Sequence, residues 1–206
     1  MLHNPTQSNT MLIGLTGGIG SGKSVIAKQL REMGYAVYDT DNEAKRLIVE
    51  DITVHQQMEQ LFGKEVYIDG VYQTALVARR VFADKSLLAQ LNAIVHPAVR
   101  SDIEKWISGI GNRESELFFI ECAILYQAGF DTLCDKVVAV TAPEDVRLAR
   151  VIARDYSTID KVRARMRAQK TEQDLQRADL VVNNDGKTEI MDICLQIQDF
   201  FCNFAG

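Results

Sequence analysis

Polar and apolar positions follow two periods along this chain. Short unbroken apolar runs recur at Met11-Leu12-Ile13-Gly14-Leu15, Tyr35-Ala36-Val37-Tyr38, Leu117-Phe118-Phe119-Ile120-Glu121, Val137-Val138-Ala139-Val140 and Leu180-Val181-Val182. Runs of that length without polar alternation predict strands buried on both faces, as in a parallel sheet. Between them apolar residues return every three or four positions, which predicts helices. These are Val25 to Met33, a stretch after Asp39-Thr40-Asp41 through Arg46 and Val49, His55 to Phe62, Thr74 to Phe82, Ser86 to Val95 and Pro97 to Ile107. Further helices open at Pro143-Glu144-Asp145 and near Ser157 or Thr158, and a last one carries Ile190, Ile193, Cys194, Ile197, Phe201 and Phe204 on a core-facing stripe. Gly34 stops the first helix, and Asp69-Gly70 marks a small hairpin. Strands alternating with helices predict an α/β fold with a parallel sheet.

The helical block 51–112 falls between the second and third strands and has neither an internal repeat nor linker composition, so it is expected to be a subdomain inserted in the core. Segments 11–50 and 113–206 are expected to form that core, with 147–170 as a lid within it. Residues 1–10 are polar, without a basic start or an apolar h-region, and are expected to be a disordered leader.

Chemistry enters at Gly17-Gly18-Ile19-Gly20-Ser21-Gly22-Lys23-Ser24, which fits G-x-x-x-x-G-K-[ST] and stands between a predicted strand and a predicted helix. Glycines let the main chain curl around a phosphate and aim successive N–H groups at it, with the positive helix end behind. Lys23 would reach the β- and γ-phosphates, and Ser24 would offer its hydroxyl to Mg2+. The bland alternative is a glycine-rich turn that binds nothing; the order strand, loop, helix favours a nucleoside triphosphate site, taken as Gly17 through Val25.

In an open parallel sheet, ligands sit beyond the carboxyl ends of the strands. Asp39 and Asp41 follow the second strand and would be delivered towards the phosphates, unless one of them serves only as a helix cap. A carboxylate that accepts a hydroxyl proton during phosphoryl transfer is needed there, and Asp41 is the expected base. Glu121 ends the third strand as an acidic residue that would hold the magnesium hydration shell; a cap or ion pair is the alternative. Tyr126 and Gln127 follow in the loop. Arg147, Arg150 and Arg154 recur at helical spacing and continue into Arg163, Arg165 and Arg167, a pattern that is either a solvated face or a cationic helical hairpin. A mobile arginine lid would neutralise charge on the transferred group and exclude water, which assigns Arg150 and Arg154 to the phosphates. Asn184, in Asn183-Asn184-Asp185-Gly186, ends the fifth strand where an amide could hold adenine, or simply make a turn. His96-Pro97 reads on its own as a hydrogen-bonded turn residue before a helix start, and Arg79, Arg80 and Arg100 as a solvated face.

Composition narrows the partners. The 206 residues are 47% hydrophobic and 25% charged, ordinary for one compact unit with an insertion. A net charge of −5 argues against nucleic-acid binding, so any polyanion site must be local. Cys122, Cys134, Cys194 and Cys202 contain no C-x-x-C pair and read as reduced thiols of a cytoplasmic protein; no apolar run reaches the length of a membrane span.

The whole combination resembles the dephospho-CoA kinases. The resemblance is carried by Gly14-Leu15-Thr16 running into Gly17 through Ser24, by Asp39-Thr40-Asp41 with Arg46, by Leu91 to Pro97 ending in His96-Pro97, by Arg150 with Arg154-Asp155, by Gln169, and by Ala178-Asp179 running to Asn184. It extends over nearly the whole chain from Met11. Many kinases share the loop, whereas the Asp-x-Asp pair, the His-Pro step and Arg-x-x-x-Arg-Asp in this order are specific to that family. The resemblance implies a P-loop NTPase-type three-layer sandwich with a five-stranded parallel sheet, a helical coenzyme-binding insertion and a helical lid. It implies transfer of the ATP γ-phosphate to the ribose 3′-hydroxyl of dephospho-CoA, the last step of coenzyme A synthesis, with ATP and Mg2+; a monomer or small homo-oligomer is expected, the sequence itself not giving the oligomeric state. Asp41 looks like the base, aided by Lys23, Arg150 and Arg154. Asp39, Asp41, Arg46, His96, Tyr126, Gln127 and Arg165 are the implied substrate contacts, Arg150 and Asn184 join the loop in holding the nucleotide, and Ser24 and Glu121 face the metal.

Two departures are visible. After the third strand the family usually has Pro-Leu-Leu-aromatic-Glu where this chain reads Ala123-Ile124-Leu125-Tyr126-Gln127, which keeps hydrogen-bonding capacity but loses a charge; and Arg147 stands where glutamine is frequent. A nucleoside or nucleotide kinase would use the same loop and lid and differ in its acceptor. A GTP-dependent switch would need an Asn-Lys-x-Asp segment, which Asn183-Asn184-Asp185-Gly186 does not supply.

Overall fold

The computed structural model describes residues 10–110, 117–169 and 171–202. The expected leader lies almost wholly outside them, as does Phe204. In chain order the elements are β1 (Met11–Gly17), α1 (Lys23–Glu32), β2 (Ala36–Asp39), α2 (Thr40–Glu50), α3 (Ile52–Phe62), β3 (Tyr67–Ile68), β4 (Val71–Tyr72), α4 (Thr74–Ala83) and α5 (Lys85–Ile110). Then follow β5 (Leu117–Glu121), β6 (Lys136–Thr141), α6 (Glu144–Asp155), α7 (Ile159–Ala168), α8 (Thr171–Arg177), β7 (Leu180–Asn183) and α9 (Ile190–Cys202). Contacts divide the chain into two compact units, 1–38 with 112–206, and 39–111.

The first unit is built on the sheet β2-β5-β1-β6-β7. β1 pairs in parallel with β5, Met11 opposite Leu117 and Leu15 opposite Glu121, and with β6, Ile13 opposite Lys136. β6 continues in parallel to β7. Ile13 and Leu15 on β1, Phe119 on β5 and Val138 on β6 pack with Ile26 and Leu30 of α1 and with Ile193, Ile197 and Phe201 of α9, all fully buried or nearly so. Gly14 turns to the opposite face, where a side chain would run 2.6 Å from Leu125, so the loop after β5 closes directly on the strand. Helix α8 packs against β1 and β6. The result is the α/β arrangement expected from the apolar runs.

The second unit is helical. α2 packs on α3 and α5, and α3 and α4 pack on α5, so α2 groups here with the helical block. The hairpin turn has Asp69 at φ 50° and Gly70 at φ 75°, the two successive left-handed residues of the turn type that matches strand twist.

One expectation is corrected. His96-Pro97 is no break between two helices: α5 runs unbroken from Lys85 to Ile110 with Pro97 inside it. Proline removes one helical hydrogen bond and clashes one turn back, at a cost of about 3 kcal/mol. The buried stripe Val95, Val99 and Ile103 continues through the proline, and burial of such side chains returns about 1.5–3 kcal/mol each. Packing against three neighbouring helices therefore overrides the local signal.

Candidate active site

The loop after β1 turns on itself, with Ser21 N–H donating to Gly18 C=O at 3.0 Å, and α1 starts at Lys23 with Gly22 as its cap. Gly22 has φ 87°, a left-handed conformation, and a Cβ there would run into the Asn184 carboxamide. Only glycine fits. The Ser21 hydroxyl is buried with no protein partner among the described residues, and a buried donor left unpaired is costly. Ser24 and Val25 are exposed in the first turn of α1.

Lys23 is 9% exposed, and its Nζ donates to Glu121 Oε1 at 2.8 Å. Arg31, one face of α1 further along, brings Nη2 to 3.7 Å from Glu121 Oε2. Glu121 thus holds two cations at the end of β5, the ion-pair alternative for that residue, and Arg31 is a partner the sequence did not announce.

The outer side of the loop is braced by arginines. Arg147 Nε donates to Ile19 C=O at 2.9 Å. Arg150 donates to Asn184 C=O at 3.0 Å and to Asn184 Oδ1 at 3.1 Å, with Gly20 and Ser21 C=O at 3.5 and 3.4 Å. Asn184 Nδ2 donates in turn to Ser21 C=O at 2.9 Å. Arg150 and Asn184 therefore grip the loop together, and this is the position in which the structure places the arginine expected on the phosphates. The Ile19 N–H donates to Gln169 Oε1 at 2.8 Å.

The expected hairpin forms from α6 and α7, joined through Tyr156 at φ 50°. Asp155 receives Arg154 Nε at 2.7 Å and Arg165 Nη1 at 2.8 Å, and the two guanidinium groups hold its carboxyl well below the usual carboxylate range. Gly17 and Gly18 also border a cleft of about 190 Å³ lined by Ile124, Gln127, Gln169 and Asp174. Gln127 Nε2 donates to Asp174 Oδ2 at 3.0 Å on its rim. Tyr126 lies beneath the Arg177 guanidinium at 3.8 Å, with its hydroxyl buried and without a protein partner among the described residues; burial pushes its pKa up to about 12.

In the second unit, Asp39 is the cap of α2: its Oδ1 accepts from Asp41 N–H at 3.1 Å and Asn42 N–H at 3.0 Å. That leaves Asp41 in the first turn with an exposed carboxylate that takes no part in capping. Arg46 is tied to Asp102 at 2.9 Å, to Glu43 and to Glu50 at 3.3 Å, contacts that hold it protonated. His96 is half-buried on α5, and burial lowers its pKa. The structure thus brings together the loop, Lys23, Glu121, Arg150 and Asn184 within the first unit, while Asp39, Asp41, Arg46 and His96 belong to the second. The helical spacing of Arg147 and Arg150 was the available signal for the loop brace; nothing periodic points to Gln169 or Arg31.

Comparison with known proteins bears on this arrangement. The family model for dephospho-CoA kinase matches residues 11–189. A dephospho-CoA kinase of Porphyromonas gingivalis is 43% identical over 166 residues, 81% of each chain. A crystal structure of a Thermus thermophilus protein superposes with a TM-score of 0.79 at 35% identity, covering 92% of this chain and 96% of that one. The dephospho-CoA kinase of Campylobacter jejuni shares the fold, with a TM-score of 0.68 at 20% identity over 91% of this chain and 95% of that one.

Proposed function

The chain belongs to the dephospho-CoA kinase family, and from that premise we propose that it transfers the γ-phosphoryl group of ATP to the ribose 3′-hydroxyl of dephospho-CoA, closing coenzyme A synthesis. The observation that carries this reading is the braced loop with its buried Ser21 hydroxyl, unpartnered among the described residues, and Lys23 at its end. Asp41 takes the proton from the acceptor hydroxyl as that oxygen bonds to the γ-phosphorus, and the bond to the bridging oxygen breaks to release ADP. Asp41 suits this role because Asp39 performs the capping, so its own carboxylate is not committed to the backbone. Lys23 exchanges Glu121 for the phosphates. Arg154 and Arg165, pre-aligned by Asp155, supply positive charge from the hairpin. The cleft beside Gly17 and Gly18, with Gln127 on its rim, is suited to the acceptor end of the substrate.

The residues present also fit Mg2+. That ion keeps several waters and takes few protein ligands when phosphates are available, so one hydroxyl suffices where no three-residue metal cluster exists among the described residues. Ser24 would hold it, with Glu121 behind through water, and bound there it would neutralise charge on the phosphates. The four cysteines are free thiols, which supports a cytoplasmic setting. No helix among the described residues is long and apolar enough to cross a membrane.

The test is ADP release with ATP and magnesium, comparing dephospho-CoA, adenosine, AMP and shikimate. Turnover should need dephospho-CoA, and Asp41→Asn should lower kcat by about 10²–10⁴-fold. Turnover with another acceptor alone would overturn the substrate assignment, and full activity in Asp41→Asn would overturn the base.

A further inference from the structure

Helix α6 presents Arg147 and Arg150, one turn apart, to the outer side of the phosphate loop. Arg147 Nε holds the Ile19 C=O at 2.9 Å, while Gln169, at the far end of α7, accepts the Ile19 N–H at 2.8 Å. Side chains from the two ends of the hairpin thus hold both backbone polar groups of one loop residue. In a planar trans peptide the C=O and the following N–H point in opposite directions. Holding the Ile19 C=O outward therefore turns the Gly20 N–H inward, and the Asn184 contact on the Ser21 C=O turns the Gly22 N–H the same way. The fit is close: a Cβ on Gly20 would come 2.5 Å from the Arg147 carbonyl oxygen. Arg147 is about half-buried, with its pKa lowered by burial, so its cation is placed against the Ile19 carbonyl at the expense of hydration.

We propose that Arg147 and Gln169 are positioning residues for nucleotide binding, which clamp Ile19 through its C=O and its N–H, fix the two peptide planes on either side of it and with them the direction of the Gly20 N–H, and tie the arginine hairpin to the phosphate loop. The consequence for turnover rests on the kinase reading, but nucleotide affinity does not depend on the acceptor. Arg147 acts through Ile19 and not on the phosphates. Preorganised donors bind an anion without reorganising, and two groups that hold the two peptides of one residue lose their effect together.

Titration calorimetry of the full chain with magnesium and ADP tests this directly. Arg147→Ala and Gln169→Ala should each weaken ADP about tenfold, and the double variant should fall no more than about twofold beyond the weaker single. Arg147→Gln keeps a donor without the charge and should stay within about threefold of the parent, whereas a phosphate-neutralising cation would lose affinity on that change. Amide exchange followed by NMR supplies a second reading: the Ile19 N–H should exchange at least about tenfold faster in Gln169→Ala while the Ile13 N–H in β1 keeps its rate. Unchanged ADP affinity in both single variants, multiplicative losses in the double variant, or an Ile19 amide indifferent to Gln169 would overturn the proposal. If dephospho-CoA failed as acceptor, these measurements would still decide it.

Discussion

Replacing Glu121 by Gln preserves shape while removing the charge that Lys23 and Arg31 share. Glu121 is 4% exposed and Lys23 is 9% exposed, so the 2.8 Å pair is buried and poorly screened by solvent. Removing one partner of a buried pair costs about 3–5 kcal/mol. The lower end applies, since the glutamine carbonyl still accepts from Lys23 and Arg31 is partly solvated, with a side-chain exposure of 38%. For a chain of this size 1 kcal/mol shifts Tm by about 2–4 °C, so a loss of about 3 kcal/mol lowers it by about 6–12 °C. Nucleotide changes the balance. If Lys23 turns from Glu121 to the phosphates on binding, the penalty in Glu121→Gln is smaller in the complex. Saturating magnesium-ADP should then raise Tm more in the variant than in the parent. Differential scanning calorimetry with and without ADP reads both quantities. A drop below about 2 °C would show that the pair contributes little to stability. Equal ADP-induced shifts would show that Lys23 does not change partners.

Three further changes probe other parts of the site. Gly22→Ala puts a Cβ into the Asn184 carboxamide at φ 87°, and should abolish detectable ADP binding in calorimetry while destabilising the fold by about 1–3 kcal/mol; retained affinity would show that the loop tolerates a different path. Asp155→Asn releases Arg154 and Arg165, and should lower kcat about tenfold in the ADP-release assay with little change in Tm, because the pairs are solvent-accessible. Burial holds the His96 imidazole below its ordinary value of 6.5, so the unfolded chain takes up the proton first as pH falls. The His96 contribution is complete above that value and is lost as pH falls towards the folded pKa; His96→Gln should therefore flatten the decline of Tm between about pH 7 and about pH 5, and parallel curves would remove His96 from the titration.

The sheet was legible because its strands are buried on both faces and leave unbroken apolar runs; Leu117–Glu121 matches β5 residue for residue. Helix α5 was misread at Pro97 because a proline states only what the local backbone loses. What compensates, the stripe Val95, Val99 and Ile103 against neighbouring helices, is a tertiary fact. Helix α8 was missed for a related reason: Thr171–Arg177 is short and polar, without an apolar period to mark it.

Within the site, residue type and spacing located the phosphate loop but did not decide which partner each charge meets. The arginines at 147, 150 and 154 share one face of α6, yet Arg147 ends on the Ile19 carbonyl, Arg150 on Asn184 and the Gly20 and Ser21 carbonyls, and Arg154 on Asp155. Spacing along a helix fixes a direction, whereas the partner depends on what the fold places in that direction. Near the start of α6 that is a loop whose Ile19, Gly20 and Ser21 carbonyls face the helix; at its end it is the turn into α7 with a carboxylate in reach. The same distinction separates Asp39 from Asp41, two residues apart, of which the strand–helix junction uses the first as a cap. Local capping therefore engages the Asp39 carboxylate with backbone N–H groups and leaves that of Asp41 out of the cap. Helix α6 therefore divides its cations between the phosphate loop, held by Arg147 and Arg150, and the turn into α7, where Arg154 pairs with Asp155.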